Sequence, residues 1–374
     1  MTRYMPFDVC NHFAPKEPKA WQQICNPKGM RRAVGFFSLL AILALLSVWN
    51  FHTGPASGPE DTDKEKHTGK ALSPGQNLLW IDPGDVASYD FTYGIGGNES
   101  QPRPPFEFVN EDFSGTSKKI NVTDARGTKW NLKWGHESRP SVFCTRLLWA
   151  LGYFVEAEYF LQKGRVNDVH GLKRAAVKVS KDGSFVDGRF QLRSDSPKYL
   201  QGQHWAWTKN PFVGTPQLQG LKIMLLLVSN WDTKEPNLSI FEDNSTGVPR
   251  YLYMDDDWGA SLGKWGNRFT WSKWDCKGFA EQTPHFVKPG ANGSLQWGFE
   301  GKNKEEVTFV SVKDVQWLLQ YLGRVTDEQI RTGLATSGAT PEEVECFARS
   351  LRDRIEQLQQ VSGALSNAQQ SSAP

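Results

Sequence analysis

The chain has 374 residues, and its 43 Lys and Arg nearly balance its 41 Asp and Glu, which gives a formal net charge of only +2. This balance lacks the block of positive charge that a dedicated nucleic-acid binder uses, so we expect no nucleic-acid partner. The 5 cysteines form no C-x-x-C pair, and the sequence therefore predicts neither a zinc ribbon nor a small disulfide scaffold.

The first element along the chain is an apolar run. Residues 33–49 carry no charge and no proline, and a run of roughly 17–19 residues just reaches the length that crosses a bilayer. Residues 1–32 are basic, so the positive-inside bias places them in the cytosol and the later domain outside it. We predict a single-pass transmembrane helix over 33–50. A cleaved signal peptide and a buried core helix are the alternatives.

Three further segments follow from composition. Residues 51–78 are rich in Gly, Pro, Ser and Thr and lack periodic apolar positions, which predicts a flexible linker. Residues 79–361 have a globular composition without a visible internal repeat. Residues 362–374 are small and polar, which predicts a disordered tail.

Within the globular part, strand patterns come first and helix patterns second. The predicted strands form a three-stranded meander at 106–109, 119–123 and 129–134. The predicted helices lie at 140–152, 216–229, 312–322, 326–334 and 340–361, the last two opening with N-cap signals. This order predicts an α+β fold with a β-rich lobe over about 85–165 and a helical lobe over about 166–361.

Candidate chemistry follows the apolar helix at 216–229. Asp232, Lys234 and Asn237 come directly after it, and Asp257 ends an acidic triplet further on. Phosphoryl transfer from ATP needs an acid that orients the attacking hydroxyl, a lysine near the phosphate, and oxygen ligands for magnesium. Asp and Asn are also ordinary turn residues, so plain turn chemistry is the alternative. Adjacent carboxylates repel one another in apolar surroundings, however, and a divalent cation is their simplest neutraliser.

These residues resemble the motifs of the protein-kinase-like superfamily. Its catalytic loop, D-x-K-x-x-N, is matched by Asp232, Lys234 and Asn237, and its metal loop, D-F-G, is matched by Asp257-Trp258-Gly259. The longer run Asp-Trp-Gly-Ala-Ser-Leu-Gly resembles the D-F-G-x-x-L-G of phosphatidylinositol kinases and their atypical relatives.

The resemblance implies a two-lobed kinase-like domain that binds ATP with Mg²⁺ or Mn²⁺. Asp232 and Lys234 would then be catalytic, and Asn237 and Asp257 would hold the metal ion. Lys133 would be the phosphate-binding lysine of its strand. Three residues of the preceding turn would cover the phosphates: Gly115, Thr116 and Lys118.

The chain departs from the family in one respect that concerns the phosphate lysine. A typical member has a glutamate inside the helix after the lysine strand, whereas residues 140–152 contain no acid. Glu137, just before the predicted helix, is the first candidate to pair with Lys133, and Glu156 and Glu158 are the alternatives.

The expected function is a membrane-anchored phosphotransferase that moves the ATP γ-phosphoryl group to a hydroxyl of a protein, lipid or sugar. One alternative is a pseudokinase that binds a nucleotide or a partner without turnover. Another is an envelope scaffold, which the 15 tryptophans would suit. The aromatic stretch of Trp205, Trp207 and Phe212 fits either an adenine-stacking surface or a corner of the core.

Overall fold

The computed structural model describes residues 72–291 and 294–371, with the backbone alone over 364–371. No helix in this described part is both long and apolar enough to cross a membrane. The predicted transmembrane helix over 33–50 lies outside it and stays a prediction. The chain enters the domain through a short strand, β1 (Gln76–Leu78), which pairs in parallel with a later strand.

A closed five-stranded barrel forms the first half of the domain, in the order β2-β3-β4-β6-β5. Its strands are β2 (Phe106–Asp112), β3 (Lys118–Thr123), β4 (Lys129–Trp134), β5 (Glu158–Asn167) and β6 (Ser184–Leu192). Trp130 and Leu132 pack in the barrel core at 0% exposure. Because side chains alternate along a strand, Lys133 is carried on the opposite face of β4.

Helix α1 (Ser138–Ala150) connects β4 to β5 and is buried along almost its whole length. It packs against β5 and β6 on one side and against the later helix Asp327–Thr336 on the other. The barrel is thereby joined to the helical half through one shared helix.

The second half contains a four-stranded sheet in the order β1-β9-β8-β7. Its new strands are β7 (Lys198–His204), β8 (Leu238–Asp243) and β9 (Arg250–Asp255). Helix α2 (Pro216–Leu227) is capped by Thr215, begins with proline and is apolar nearly all round, which makes it the centre of the larger core.

The remaining elements are mostly helical. They are α3 (Cys276–Gln282), the hairpin β10 (Val287–Pro289) and β11 (Leu295–Trp297), α4 (Lys304–Thr308), α5 (Val312–Leu322), α6 (Asp327–Thr336) and α7 (Pro341–Ser371). Ser311 and Thr326 form capping boxes at the starts of α5 and α6. Cys276 and Cys346 are paired in a disulfide that joins α3 to α7.

The domain is therefore an α+β fold with a strand-rich first part and a helical second part. The predicted lobe boundary at 165 is wrong, because β5 pairs with β6 in one hairpin and the barrel ends at Leu192. The predicted disordered tail is wrong as far as Ser371, since α7 continues through it. Once a helix is nucleated, each added residue gains a hydrogen bond. The predicted flexible linker over 51–78 is wrong at its end, because strand β1 (Gln76–Leu78) lies within it.

Candidate active site

A cleft of about 940 Å³ lies between the barrel and the four-stranded sheet. The barrel contributes Lys119 and Lys133 to its lining, and the loops after α2 and β9 contribute Asn237, Asp256 and Asp257. Cations thus face carboxylates and an amide across one cleft.

Lys133 forms an ion pair inside this cleft. Its Nζ lies 2.6 Å from Oε2 of Glu137, the residue that precedes the first turn of α1. Glu158, an alternative partner in the sequence, instead accepts from Arg189 at 2.8 Å and from Ser141 at 2.7 Å. The structure therefore gives the pairing role to Glu137, because the helix begins next to the strand that carries the lysine.

Two more side chains converge on Glu137. Lys273 Nζ lies 2.5 Å from Oε1, and Ser117 Oγ donates to Oε2 at 2.8 Å. Burial alone would raise the pKa of Glu137, but the ammonium groups of Lys133 and Lys273 hold it well below its usual range. Glu137 is thus an ionised anchor between the barrel and the segment after Gly259.

Gly259 brings the metal loop against this ion pair. A Cβ at Gly259 would lie 2.7 Å from Cβ of Glu137 and 3.0 Å from Oδ1 of Asp257. A side chain does not fit there without moving one of them, so the glycine of the D-W-G run allows the close approach.

Hydrogen bonds join the predicted catalytic loop to the metal loop. Asn230 Nδ2 donates to the carbonyl of Asp257 at 3.0 Å, and Asn230 Oδ1 accepts from the backbone N–H of Asp232 at 3.2 Å. Asn237 Nδ2 donates to the carbonyl of Asp232 at 2.8 Å, and the N–H of Asp256 donates to the carbonyl of Asn237 at 3.0 Å. The two motifs that lie apart in sequence therefore form one unit.

The carboxylate of Asp232 lies between two lysines. Lys302 Nζ is 2.7 Å from Oδ1, and Lys234 Nζ is 3.3 Å from Oδ2. The predicted pair of catalytic residues is thus in direct contact, and a third residue that no motif contains joins them.

The acidic triplet consists of a buried residue, Asp255, and two residues that line the cleft, Asp256 and Asp257. Burial, then the charge of Asp256, raises the pKa of Asp255 well above its usual range. Burial raises the pKa of Asp256 to about 7, although its Oδ2 accepts from Ser239 Oγ at 2.6 Å. Asp257 accepts from the N–H of Gly259 at 3.1 Å and lines the cleft. Further negative charge on these neighbouring carboxyl groups is unfavourable, so their surroundings favour the binding of a cation.

The donor set at this point fits magnesium. Asn237 uses its amide nitrogen for the carbonyl of Asp232, which leaves its amide oxygen available as a ligand atom in the cleft that Asp257 also lines. Mg²⁺ is commonly held by one or two carboxylates together with substrate phosphates. Within the described residues no group of three or more His, Cys, Asp or Glu has a metal-binding arrangement, so phosphate oxygens would have to complete the coordination.

The predicted phosphate loop reaches the cleft only in part. Gly115 lines it, whereas Thr116 and Lys118 are exposed and are not among the lining residues. Lys119 takes the place expected for Lys118, because alternation along β3 pairs Lys119 with Lys133 across the strands. Lys119 Nζ donates to Ser114 Oγ at 2.8 Å, and burial lowers its pKa.

The aromatic stretch belongs to the core. Trp205 and Trp207 are 4% and 1% exposed and donate their indole N–H groups to the carbonyls of Met254 at 3.2 Å and Thr233 at 2.9 Å. Neither lines the cleft. Trp207 therefore packs in the core and holds the predicted catalytic loop through the carbonyl of Thr233. The adenine-stacking interpretation does not hold for either tryptophan.

Three lysines at this site were not found from the sequence: Lys119, which lines the cleft, Lys273, which contacts Glu137, and Lys302, which contacts Asp232. Strand alternation next to Lys133 could have indicated Lys119. Lys273 lies 136 residues from Glu137 along the chain and carries no motif, so only the folded chain shows its role.

No family model matches this chain, and no curated protein matches it. Among solved structures, it is similar to the crystal structure of a Helicobacter pylori proinflammatory kinase, CtkA, with 11% sequence identity and a TM-score of 0.43. The match covers 70% of this chain and 97% of that one.

Proposed function

We propose that this domain transfers the γ-phosphoryl group of ATP to a hydroxyl group. One observation carries the proposal: the Lys133–Glu137 ion pair, 2.6 Å long, faces Asn237 and Asp257 across one cleft. Phosphoryl transfer is catalysed mainly by positioning and by stabilising charge, so cations on one wall and metal ligands on the other are the components it requires.

Each residue has a role that its contacts support. Lys133, fixed by Glu137, neutralises phosphate charge, and Lys119 adds a second positive charge beside it. Asn237 and Asp257 would hold Mg²⁺ or Mn²⁺, which would offset the negative charge of the phosphate groups. Asp232 orients the acceptor hydroxyl, and Lys234 lies beside it to contact the transferred group.

A nucleotide-binding protein without turnover is the second candidate, and one observation favours it. Both carboxylate oxygens of Asp232 are in contact with lysines. An acceptor hydroxyl must share or displace one of these contacts before Asp232 can orient it. A protein that binds Mg-ATP but keeps Asp232 covered would be a pseudokinase.

The acceptor class is a further part of the proposal. The run Asp257-Trp258-Gly259 followed by Ala-Ser-Leu-Gly supports the atypical branch that resembles phosphatidylinositol kinases. Protein, lipid and sugar hydroxyls are therefore all to be tested, with phosphatidylinositol vesicles as the first acceptor.

The test of the proposed function is nucleotide binding that depends on metal. Mg-ATP is expected to raise the melting temperature of the full-length protein, because a ligand that binds only the folded state stabilises it. At 100 times the Kd the gain is about 2.7 kcal/mol. Asp257→Asn should reduce this shift, since it removes a negatively charged metal ligand.

The control for this measurement is Asp187→Asn, a partly buried residue of β6 that pairs with Arg139 outside the cleft. That variant should keep the full shift. A magnesium-dependent shift that is the same in Asp257→Asn and in the wild type would contradict a metal role for Asp257.

We further propose that the domain lies outside the cytoplasm, held by the predicted transmembrane helix over 33–50. The disulfide between Cys276 and Cys346 supports this location, because such bonds persist in oxidising compartments. In intact cells, external protease should remove the domain, and the isolated protein should show no reaction of these two cysteines with an alkylating reagent before reduction. Recovery in the cytosolic fraction with both thiols reduced would contradict it.

A further inference from the structure

The segment after β11 is bound tightly to the loop that carries Asp232. Lys302 donates its backbone N–H to the carbonyl of Trp231 at 2.9 Å, and its own carbonyl accepts from Thr233 Oγ1. Asn303 Nδ2 donates to the carbonyl of Thr233 at 3.0 Å. The residues on both sides of Asp232 are therefore fixed by a segment about 70 positions later in the chain.

Gly301 makes this close approach possible. A Cβ at that position would lie 2.9 Å from the carbonyl oxygen of Trp231 and 2.4 Å from the ring of Phe299. Only glycine leaves room for the backbone to pass there. The segment is thus built to bring the next side chain, Lys302, to Asp232.

The ammonium group of Lys302 contacts Asp232 directly, 2.7 Å from Oδ1. The side chain of Asp232 is 12% exposed and that of Lys302 is 40% exposed. An ion pair between two free surface side chains contributes little, because ordering both opposes the Coulomb gain. Here hydrogen bonds already hold both backbones, so less freedom remains to be lost.

Lys302 also balances charge where charge is concentrated. The loop of Asp232 is joined to the acidic triplet through Asn230, which accepts from the N–H of Asp232 at 3.2 Å and donates to the carbonyl of Asp257 at 3.0 Å. Lys302 places a positive charge next to Asp232, on the side of these carboxylates where the acceptor would bind. Neither kinase-like motif contains this lysine.

We propose that Lys302 is a positioning residue for Asp232 in the phosphoryl transfer, an inference that rests on the proposed function. Lys302 holds Oδ1 of Asp232, and the acceptor hydroxyl approaches at Oδ2, beside Lys234. Lys302 acts through the orientation and charge of Asp232, and it does not bind ATP. Its loss therefore affects the rate and leaves nucleotide affinity unchanged.

The experiment compares Lys302→Gln, Lys302→Arg and Lys304→Gln in the full-length protein. Lys304 is a matched control, since it lies two residues further on and pairs with the exposed Glu300 at 2.6 Å. The measurements are the Kd for Mg-ATP, the melting temperature, and kcat and KM for release of inorganic phosphate and for transfer to phosphatidylinositol vesicles.

We expect Lys302→Gln to lower kcat by on the order of 10–10² fold, the scale that misplacing a catalytic group produces. The KM and Kd for Mg-ATP should stay within about twofold. Lys302→Arg should restore most of the rate because it keeps the positive charge, and Lys304→Gln should match the wild type.

Each contrary result has a distinct meaning. A wild type that binds Mg-ATP but turns nothing over overturns the proposed function and this inference together. An active wild type with Lys302→Gln as fast as Lys304→Gln overturns the inference alone. The inference also fails if Lys302→Gln loses ATP affinity and thermal stability in proportion to rate, or if Lys302→Arg is as slow as Lys302→Gln, because the lysine would then be only a structural clamp.

Discussion

Replacing Asp232 by Asn is expected to reduce phosphoryl transfer by on the order of 10²–10⁴, the range for a positioned acid or base. Nucleotide binding should stay nearly intact, because Asp232 contacts Lys234 and Lys302 and is not among the residues that line the nucleotide cleft. The measurement is transfer from Mg-ATP to protein, lipid and sugar acceptors, together with release of inorganic phosphate and the Kd for Mg-ATP.

Lys133→Ala is the informative comparison for Asp232→Asn. A lysine that contacts the phosphates contributes to ground-state binding as well as to the transition state, so this variant should lose affinity and rate together. Lys163→Ala, exposed on the same barrel and away from the cleft, is the control and should behave as wild type. A wild type that binds Mg-ATP and is as inactive as Asp232→Asn toward every acceptor would make the pseudokinase the better account.

Much of the fold could be predicted where the signals are local. The meander strands alternate in hydrophobicity, and Thr326 and Thr340 cap their helices as their first turns predicted, with Thr340 Oγ1 accepting from the N–H of Glu343 at 3.2 Å. These signals act within a few residues, so a single sequence contains them.

The barrel closure and the second sheet could not be predicted in the same way. Closure depends on the parallel pairing of Phe106 with Val166, residues far apart in the chain. Strand β1 pairs with β9 over an even longer separation, at Gln76 and Arg250. Such pairings are set by the assembled core and not by local propensity. The predicted lobe boundary at 165 is wrong because the pairing of β5 with β6 continues the barrel to Leu192.

The residues of the candidate site also differ in whether a sequence signal identifies them. The resemblance to the kinase-like motifs predicted that Asp232, Asn237 and Asp257 belong together, and hydrogen bonds of Asn230 and Asp256 join their two loops. The contacts of Lys273 with Glu137 and of Lys302 with Asp232 join segments 136 and 70 positions apart and have no sequence signature. Glu137 was found from the sequence because it lies only four residues from Lys133.

Arg354 of α7 connects the stability of the fold to the catalytic loop. Its side chain is fully buried and donates to the carbonyl of Leu227 at 2.9 Å, to Ser229 Oγ at 2.7 Å and to Thr283 Oγ1 at 3.0 Å. Its guanidinium lies 3.7 Å from the ring centroid of Phe279. Burial lowers its pKa well below the usual range, so these hydrogen bonds and aromatic faces are what stabilise the charge.

Ser229 links Arg354 to the loop that carries Asp232, because its Oγ accepts from Arg354 at 2.7 Å. Ser229 has a φ of +56°, a conformation that residues other than glycine rarely adopt, and the catalytic loop begins directly after it. The hydrogen bond from Arg354 to Ser229 Oγ helps to hold this turn, and the bond to Leu227 fixes the last turn of α2.

Arg354→Ala is therefore expected to lower the free energy of unfolding by about 3–5 kcal/mol, because it leaves a cavity and buried acceptors without donors. Urea unfolding of the full-length protein measures this change. Arg354→Met fills much of the cavity but supplies no donor, so it should lose about 1–3 kcal/mol and still show reduced turnover in its folded form. Arg349→Ala, on the exposed face of the same helix, should change stability by less than about 0.5 kcal/mol. If Arg354→Ala and Arg349→Ala unfold at the same urea concentration, the hydrogen bonds from α7 do not support the catalytic loop.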